Sequence, residues 1–435
     1  MGRRGRPTSA LERKFKLVKR AKQWGEYLRL IVQLLRRPRN YRARELNSFR
    51  LKELYDNPYV RIERLDYLQC VTGIVSAPEV YRASQLAAEL SNLRPVRIDL
   101  GGFDGLITTC PLNIKPRNIN TVVQTIHDLI PLEYVAHNED PLMFSHRLQS
   151  CLTGHRLFVS KSTANKFHGH IQNTNKKITQ ETSKPTNEYV ITQPPSLRFP
   201  QWLTADLDNI ADLRPVSYLL RSNEKPLSKE AKEKQMESRA SVSNNEQLTP
   251  FRYFLFNSSV EARKNLSFLA KAYAESNLSQ KGIKLCVTGK LKGDDYSNTL
   301  KEIVSHEPGI ILTGYVDESD KLDLYLNALS LLSPSLVEGF GIPVLDGACL
   351  GMTTMASDCE SHLEIQALHD FQKYVICLDT LNSREWASAL QAVAGSEMYK
   401  ADQATQERRQ RIKRYFRLEG QFKEQLQSNL INLLS

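Results

Sequence analysis

Two carboxylates, Glu338 and Asp346, flank a turn holding Gly339, Gly341 and Pro343 in the stretch SLVEGFGIPVLDGACLG, residues 335–351. Glycines let backbone N–H groups come close to a ligand, and proline favours the first position of a helix. A helix start carries partial positive charge that suits a phosphate or another electron-rich group. Glu338 precedes the turn and Asp346 falls in the first turn of the expected helix, so both acids can face one cleft. Carboxylates accept hydrogen bonds from vicinal hydroxyls, which makes a sugar a natural partner. The same residues also fit a plain strand–turn–helix junction in which Asp346 only complements the helix dipole.

Other polar clusters punctuate the chain: His127-Asp128, Ser160–Thr163, Glu261–Asn265 with Arg263 and Lys264, and Gly289-Lys290. They fall at the ends of short apolar runs such as TVVQTI, RLFV, YFLF and KLCVT, which read as buried strands. Strands alternating with helices imply a parallel sheet covered on both faces. One series runs through YLQCVT, a helix from Glu79 to about Ser91, PVRIDL, NTVVQTI, HRLFVS and NEYVITQPP. A second runs through RYFLFNSS, a helix from about Asn265, IKLCVTG, GIILTGYV, a helix near 319–329, LLSPS, a helix from Pro343 and TTMASD. Between them, residues 221–249 are almost wholly polar and read as a solvated insertion. The expected division is an arm at 1–60, a Rossmann-like acceptor domain at 61–195 and a linker at 196–249. A Rossmann-like donor domain at 250–405 and a helix at 406–435, able to pack back on the first domain, complete it. Ligands of doubly wound sheets bind beyond the carboxyl ends of the strands, where the polar clusters fall. Such a cleft, acidic on one side and basic on another, suits a sugar nucleotide.

The chain has 435 residues, too many for one hydrophobic core, and its net charge is +11. That charge is local: residues 1–50 hold 16 Lys and Arg against 3 Glu, while the remainder is nearly neutral. In this arm Leu17, Ala21, Trp24, Leu28, Ile31 and Leu35 recur at helical spacing, with Lys16, Lys19, Lys22 and Arg29 around them. A basic amphipathic helix with a Trp suits an anionic membrane surface; a helix docked on the body with a solvated basic face fits equally. Seven scattered cysteines without C-x-x-C spacing argue against a disulfide framework or a zinc site and point to a reducing, cytoplasmic setting. No run is long and apolar enough to span a bilayer. Six of the nine histidines lie between His127 and His170 at spacings that suit no metal-ligand pattern, so no metal is expected.

The stretch PSLVEGFGIPVLDGACLGMTTMASD resembles the signature of the retaining GT-B glycosyltransferases of family four. YFLFNSSVEARKNLSFLAKAY, LCVTGK and ILTGYVDESDKLDLYLNA are similar to that family's donor-domain motifs, in order, and VQTIHDLIPLEY and FVSKSTANKF to motifs of its first domain. The resemblance covers roughly residues 65–365. It implies an α/β fold of two Rossmann-like domains facing a cleft, and transfer of a sugar from a GDP- or UDP-linked donor with retention of configuration. The basic arm adds the expectation of a glycan or lipid-linked saccharide acceptor, as in polysaccharide or lipopolysaccharide synthesis, with the protein peripheral on the cytoplasmic membrane face. No cofactor is implied, the nucleotide-sugar being the substrate, and no nucleic acid is expected as a partner.

Carried across, the resemblance gives Glu338 the donor-sugar hydroxyls, with N–H groups around Gly339, Phe340, Gly341 and Ile342 beside it. Arg263 and Lys264 would neutralise the departing diphosphate, with Lys290 as a further cation. As plain residues these cations also read as a solvated helix start, although cations there oppose the dipole. His127 would contact a donor hydroxyl, Tyr315 and Val316 would lie near the base, and Asp346 would hold the ribose. Three departures stand out. Asp346 replaces a Glu and is shorter by one C–C bond, about 1.5 Å. Ser258-Ser259 replaces Gly followed by Thr or Arg, and the turn TGIVSAPEVY lacks the usual glycine pair. Two other readings remain open: a nucleotide-sugar epimerase of the same fold, and a non-catalytic membrane-associated nucleotide-sugar-binding protein.

Overall fold

The computed structural model describes residues 95–134, 139–152, 154–174, 187–200, 248–396 and 401–434. It also describes short stretches within 24–45 and 75–89, and residues 203 and 218–220. The expected strand YLQCVT and most of the arm and of the polar insertion lie outside the described residues.

The second α/β unit is the more regular. Six strands, β10 (Tyr253–Asn257), β11 (Lys284–Thr288), β12 (Ile310–Gly314), β13 (Ser330–Ser333), β14 (Thr354–Ser357) and β15 (Val375–Leu378), pair in parallel in the order β12-β11-β10-β13-β14-β15. This is the doubly wound order, whose direction reverses between the first strand and the fourth, here between β10 and β13. Those two strands are buried along nearly their whole length, as a sheet with helices on both faces requires. The helix Ile342–Leu350 packs on β13 and is buried from Val344 to Leu350, which explains why it is apolar around its whole circumference.

The first unit carries two parallel ladders. One joins β1 (Asn40–Arg42), β4 (Val96–Asp99) and β6 (Ile114–Arg117). The other joins β5 (Gly105–Thr108), β7 (Thr121–Ile126), β8 (His155–Phe158) and β9 (Glu188–Val190). A short antiparallel pair, β2 (Arg44–Glu45) with β3 (Val75–Ser76), lies beside them in sequence. The helix Val80–Glu89 covers the first ladder through Val80, Ala83 and Ala87. The helix Lys161–Thr174 follows β8, and Ser160 caps it by accepting the Thr163 N–H at 3.0 Å.

The last helix runs from Ala401 to Leu434, starting five residues before its apolar pattern. It serves both units. Ile412, Tyr415, Leu418 and Phe422 enter the core around the helix Ile342–Leu350, whereas Leu426, Leu430 and Leu433 pack with Val123, Leu157 and Ile191 of the first unit.

Candidate functional site at the switch point

The chain leaves β10 into a loop that ends in a tight turn, Ala262–Lys264, closed by Asn265 in the left-handed conformation with φ 56°. Only then does the helix Leu266–Glu275 begin. Arg263 and Lys264 therefore lie in this turn directly ahead of the helix rather than within its first turn. The backbone of Leu336 donates to Arg263 O at 2.8 Å, so the loops after β10 and β13 are tied together where the strand order reverses.

Glu338 sits at that tie and is 8% exposed. Its Oε1 accepts from Lys264 Nζ and, at 2.8 Å, from Ser335 Oγ; its Oε2 accepts from Arg263 Nη1 at 3.3 Å. Arg263 also donates to Glu261 Oε2 at 2.9 Å and to the Val337 carbonyl at 3.3 Å. Burial alone would raise the Glu338 pKa, but the charges of Lys264, His362 and Arg263 hold it down, to about 2. Burial conversely lowers the Lys264 pKa, with Glu338 opposing the shift. A carboxylate has about four lone-pair sites, and three protein donors leave room for one more.

The glycines have separate tasks. A Cβ on Gly339 would strike the His127 carbonyl and Asp128 of the first unit, so the two units meet at this residue. Its own carbonyl accepts from Ser160 Oγ at 2.8 Å and Thr163 Oγ1 at 3.1 Å, also from the first unit. Gly341 has φ 100° and opens the helix Ile342–Leu350, with the His362 ring where a Cβ would go. Phe340 is buried and Ile342 half-buried.

Asp346 departs from the expected cleft position. It is 2% exposed, its Oδ1 accepts the Ser196 N–H at 2.6 Å, and its Oδ2 accepts Ser196 Oγ at 2.7 Å. Tyr415 OH donates to Oδ1 at 3.3 Å. Burial pushes its pKa up, to about 6, against these hydrogen bonds. In this conformation the group is closed off from solvent with Ser196 across both oxygens, so a ribose would reach them only after Ser196 withdrew.

The remaining candidates spread along the strand ends. His127 is exposed after β7, with Nε2 2.8 Å from Thr109 O and Nδ1 3.5 Å from Gln193 Nε2. Lys290 is exposed just after β11, and Tyr315 and Val316 follow β12, the first exposed and the second buried. Sequence reasoning passed over Ser335, His362 and Lys292. Lys292 Nζ bonds Glu261 Oε1 at 2.6 Å and so completes the charge network behind Arg263. His362 is wholly buried, with Nδ1 2.9 Å from Ser357 Oγ. A serine three residues before Glu338 was the one local signal for Ser335; His362 had none. Among the described residues no group of three or more His, Cys, Asp or Glu is placed to hold a metal ion.

Two parallel α/β units, joined by a crossover and bridged by the C-terminal helix, form the GT-B arrangement, with the charged cluster at the reversal point of the second sheet. Residues 238–415, a stretch that holds the whole six-stranded sheet, match the family model described as glycosyl transferases group 1. Over 115 residues, 26% of this chain and 30% of the relative, the sequence is 30% identical to O-antigen chain mannosyltransferase B of Escherichia coli. The chain thus matches less than a third of that relative's length. Among solved structures it is similar to a sucrose-phosphate synthase of Thermosynechococcus elongatus (13% identity, 86% of this chain and 82% of that one, TM-score 0.46). It is also similar to a UDP-forming α,α-trehalose-phosphate synthase of Burkholderia xenovorans (11% identity, 87% and 80%, TM-score 0.48).

Proposed function

We propose that the chain transfers a sugar from a nucleoside-diphosphate sugar, GDP- or UDP-linked, to a glycan or lipid-linked saccharide, with retention of anomeric configuration. The observation that carries this reading is the buried Glu338 carboxylate held between Lys264 and Arg263 at the switch point. The group 1 match over the same residues supports it, as does the sequence relationship to an O-antigen mannosyltransferase.

In this reading Glu338 stays ionised and accepts a donor-sugar hydroxyl through its remaining lone pair. Arg263 and Lys264 take up the negative charge that gathers on the departing diphosphate, and preorganised cations of this kind stabilise it most where water is excluded. Backbone N–H groups from Gly339 to Ile342 line the approach. His127 touches the sugar, Lys290 adds a cation, and Tyr315 and Val316 adjoin the base. Glu338, whose pKa lies near 2, is a poor proton acceptor near neutrality. The leaving phosphate itself then takes the acceptor's proton on the face it vacates. No helix among the described residues is long and apolar enough to cross a membrane. Trp24, Leu28 and Val32, spaced four apart and 65%, 55% and 43% exposed, support the arm as a peripheral membrane contact.

The test is a panel of GDP- and UDP-sugars with a saccharide acceptor, the product read by NMR for its anomeric configuration. Transfer with retention that is lost in Glu338→Ala is expected. Interconversion of the free donor without acceptor would favour an epimerase, and an inverted product would refute the mechanism.

A further inference from the structure

We infer that Asp346 is the pin of an interdomain hinge: it anchors to the second unit the two chain crossings between the α/β units found among the described residues. The first crossing follows β9. Ile191 is still held by the first unit, in a cluster with Val123 and Leu433. Five residues later Ser196 gives both its N–H and its hydroxyl to Asp346, and the chain belongs to the second unit. Leu197 is buried there and its N–H donates to Tyr415 OH at 2.7 Å. The Phe199 ring lies 5.1 Å from that of Tyr415 and 4.7 Å from that of Phe416. Only Thr192-Gln193-Pro194-Pro195 remain to pivot, and the two prolines, with fixed φ and no N–H, confine the bend.

The second crossing is the last helix. Its residues up to Phe422 are locked into the second unit and those from Leu426 into the first, so its pivot falls between them. Both pivots border one cluster, in which Ile191 and Leu433 are buried and Leu426 packs against them. Asp346 stands at the root of both. It holds Ser196 on the first crossing and Tyr415 on the second, from a helix buried in the core of the second unit.

A carboxylate suits this task. It takes two donors from one serine and a third from the tyrosine, and such charge-assisted bonds are short and directional. The swing that the pin governs brings Ser160, Thr163 and His127 against Gly339, next to Glu338. Asp346 is therefore a positioning residue for the site. That consequence rests on the sugar-transfer reading; the hinge itself does not.

Three variants of the full chain test it: Asp346→Ala, Asp346→Asn, and the double variant Ser196→Ala with Tyr415→Phe. Deuterium uptake of peptides spanning 192–199 and small-angle scattering report the hinge, and calorimetry with UDP and GDP reports nucleotide binding. Asp346→Ala and the double variant should each speed exchange in these peptides at least tenfold and broaden the interdomain distance distribution. Asp346→Asn, which keeps an acceptor for the Ser196 N–H, should restore much of the protection. If Asp346→Ala does not fold, the double variant carries the test. Wild-type exchange and scattering in every folded variant would overturn the hinge. So would a loss of nucleotide affinity confined to the Asp346 variants with unchanged exchange, since that marks a ribose ligand alone. A wild type that binds neither UDP nor GDP would contradict the transfer reading and leave the exchange results to decide the hinge.

Discussion

Glu338 and Asp346 belong to one motif yet live in opposite electrostatic settings. Glu338, with a pKa depressed to about 2, contributes stability that is fully present above its unfolded value of 4.5 and is lost as pH falls toward 2. Asp346, raised to about 6, contributes stability that is full below 3.8 and is lost as pH rises through 6. Lys321 and the Tyr415 hydroxyl favour its ionised form, and Tyr325 and Cys349 border it without offsetting its burial. Urea midpoints across this range should therefore fall less steeply with rising pH in Asp346→Asn than in the wild type. Lys264→Met leaves the buried Glu338 with Arg263 as its one bonded cation and should cost about 3 kcal/mol in chemical denaturation, the lower end of what broken buried pairs cost. The grouping of Arg263, Lys264 and Glu338 was legible in the sequence through the family-like motifs that follow two strands of the second series, β10 and β13. The partners of Asp346 were not legible: Ser196 and Tyr415 lie 150 and 69 residues away, and nothing local marks either.

The elements of the second unit follow from their composition. Strands such as YFLFN and SLLS are buried along nearly their whole length because both faces are covered, and the Gly-Pro junction marks the start of the buried helix. The strand Val375–Leu378 and the helices Asp295–Ser305 and Ser383–Ser396 were missed. The strand is the last of its sheet, with Ile376 40% exposed, and lacks the continuous buried run of the central strands. The glycine turn is also an interface. Gly339→Ala should push the His127 loop away and loosen the contact of Ser160 and Thr163 with the Gly339 carbonyl. A loss of about 1–3 kcal/mol is expected, the usual cost of overpacking, visible as a lower melting temperature.

At the scale of the whole molecule, the pairing of two α/β units was legible from two series of alternating strands and helices. The way they are joined was not, because the last helix divides its apolar face between the units and its pattern alone names neither partner. The charge of the chain is likewise divided, with +13 in the first 50 residues and a nearly neutral body. Sedimentation with anionic vesicles should fail for a chain lacking residues 1–50 and weaken in high salt, because exposed charges are screened beyond about 8–10 Å near physiological ionic strength. The measurement that most directly tests the central claim is calorimetric titration of the donor-derived nucleotides UDP and GDP into the wild type, Arg263→Ala and Lys264→Met. One nucleotide should bind the wild type, with affinity reduced at least tenfold in both variants while the fold is retained. Equal affinity in all three proteins would contradict a diphosphate site at the Arg263–Lys264–Glu338 cluster.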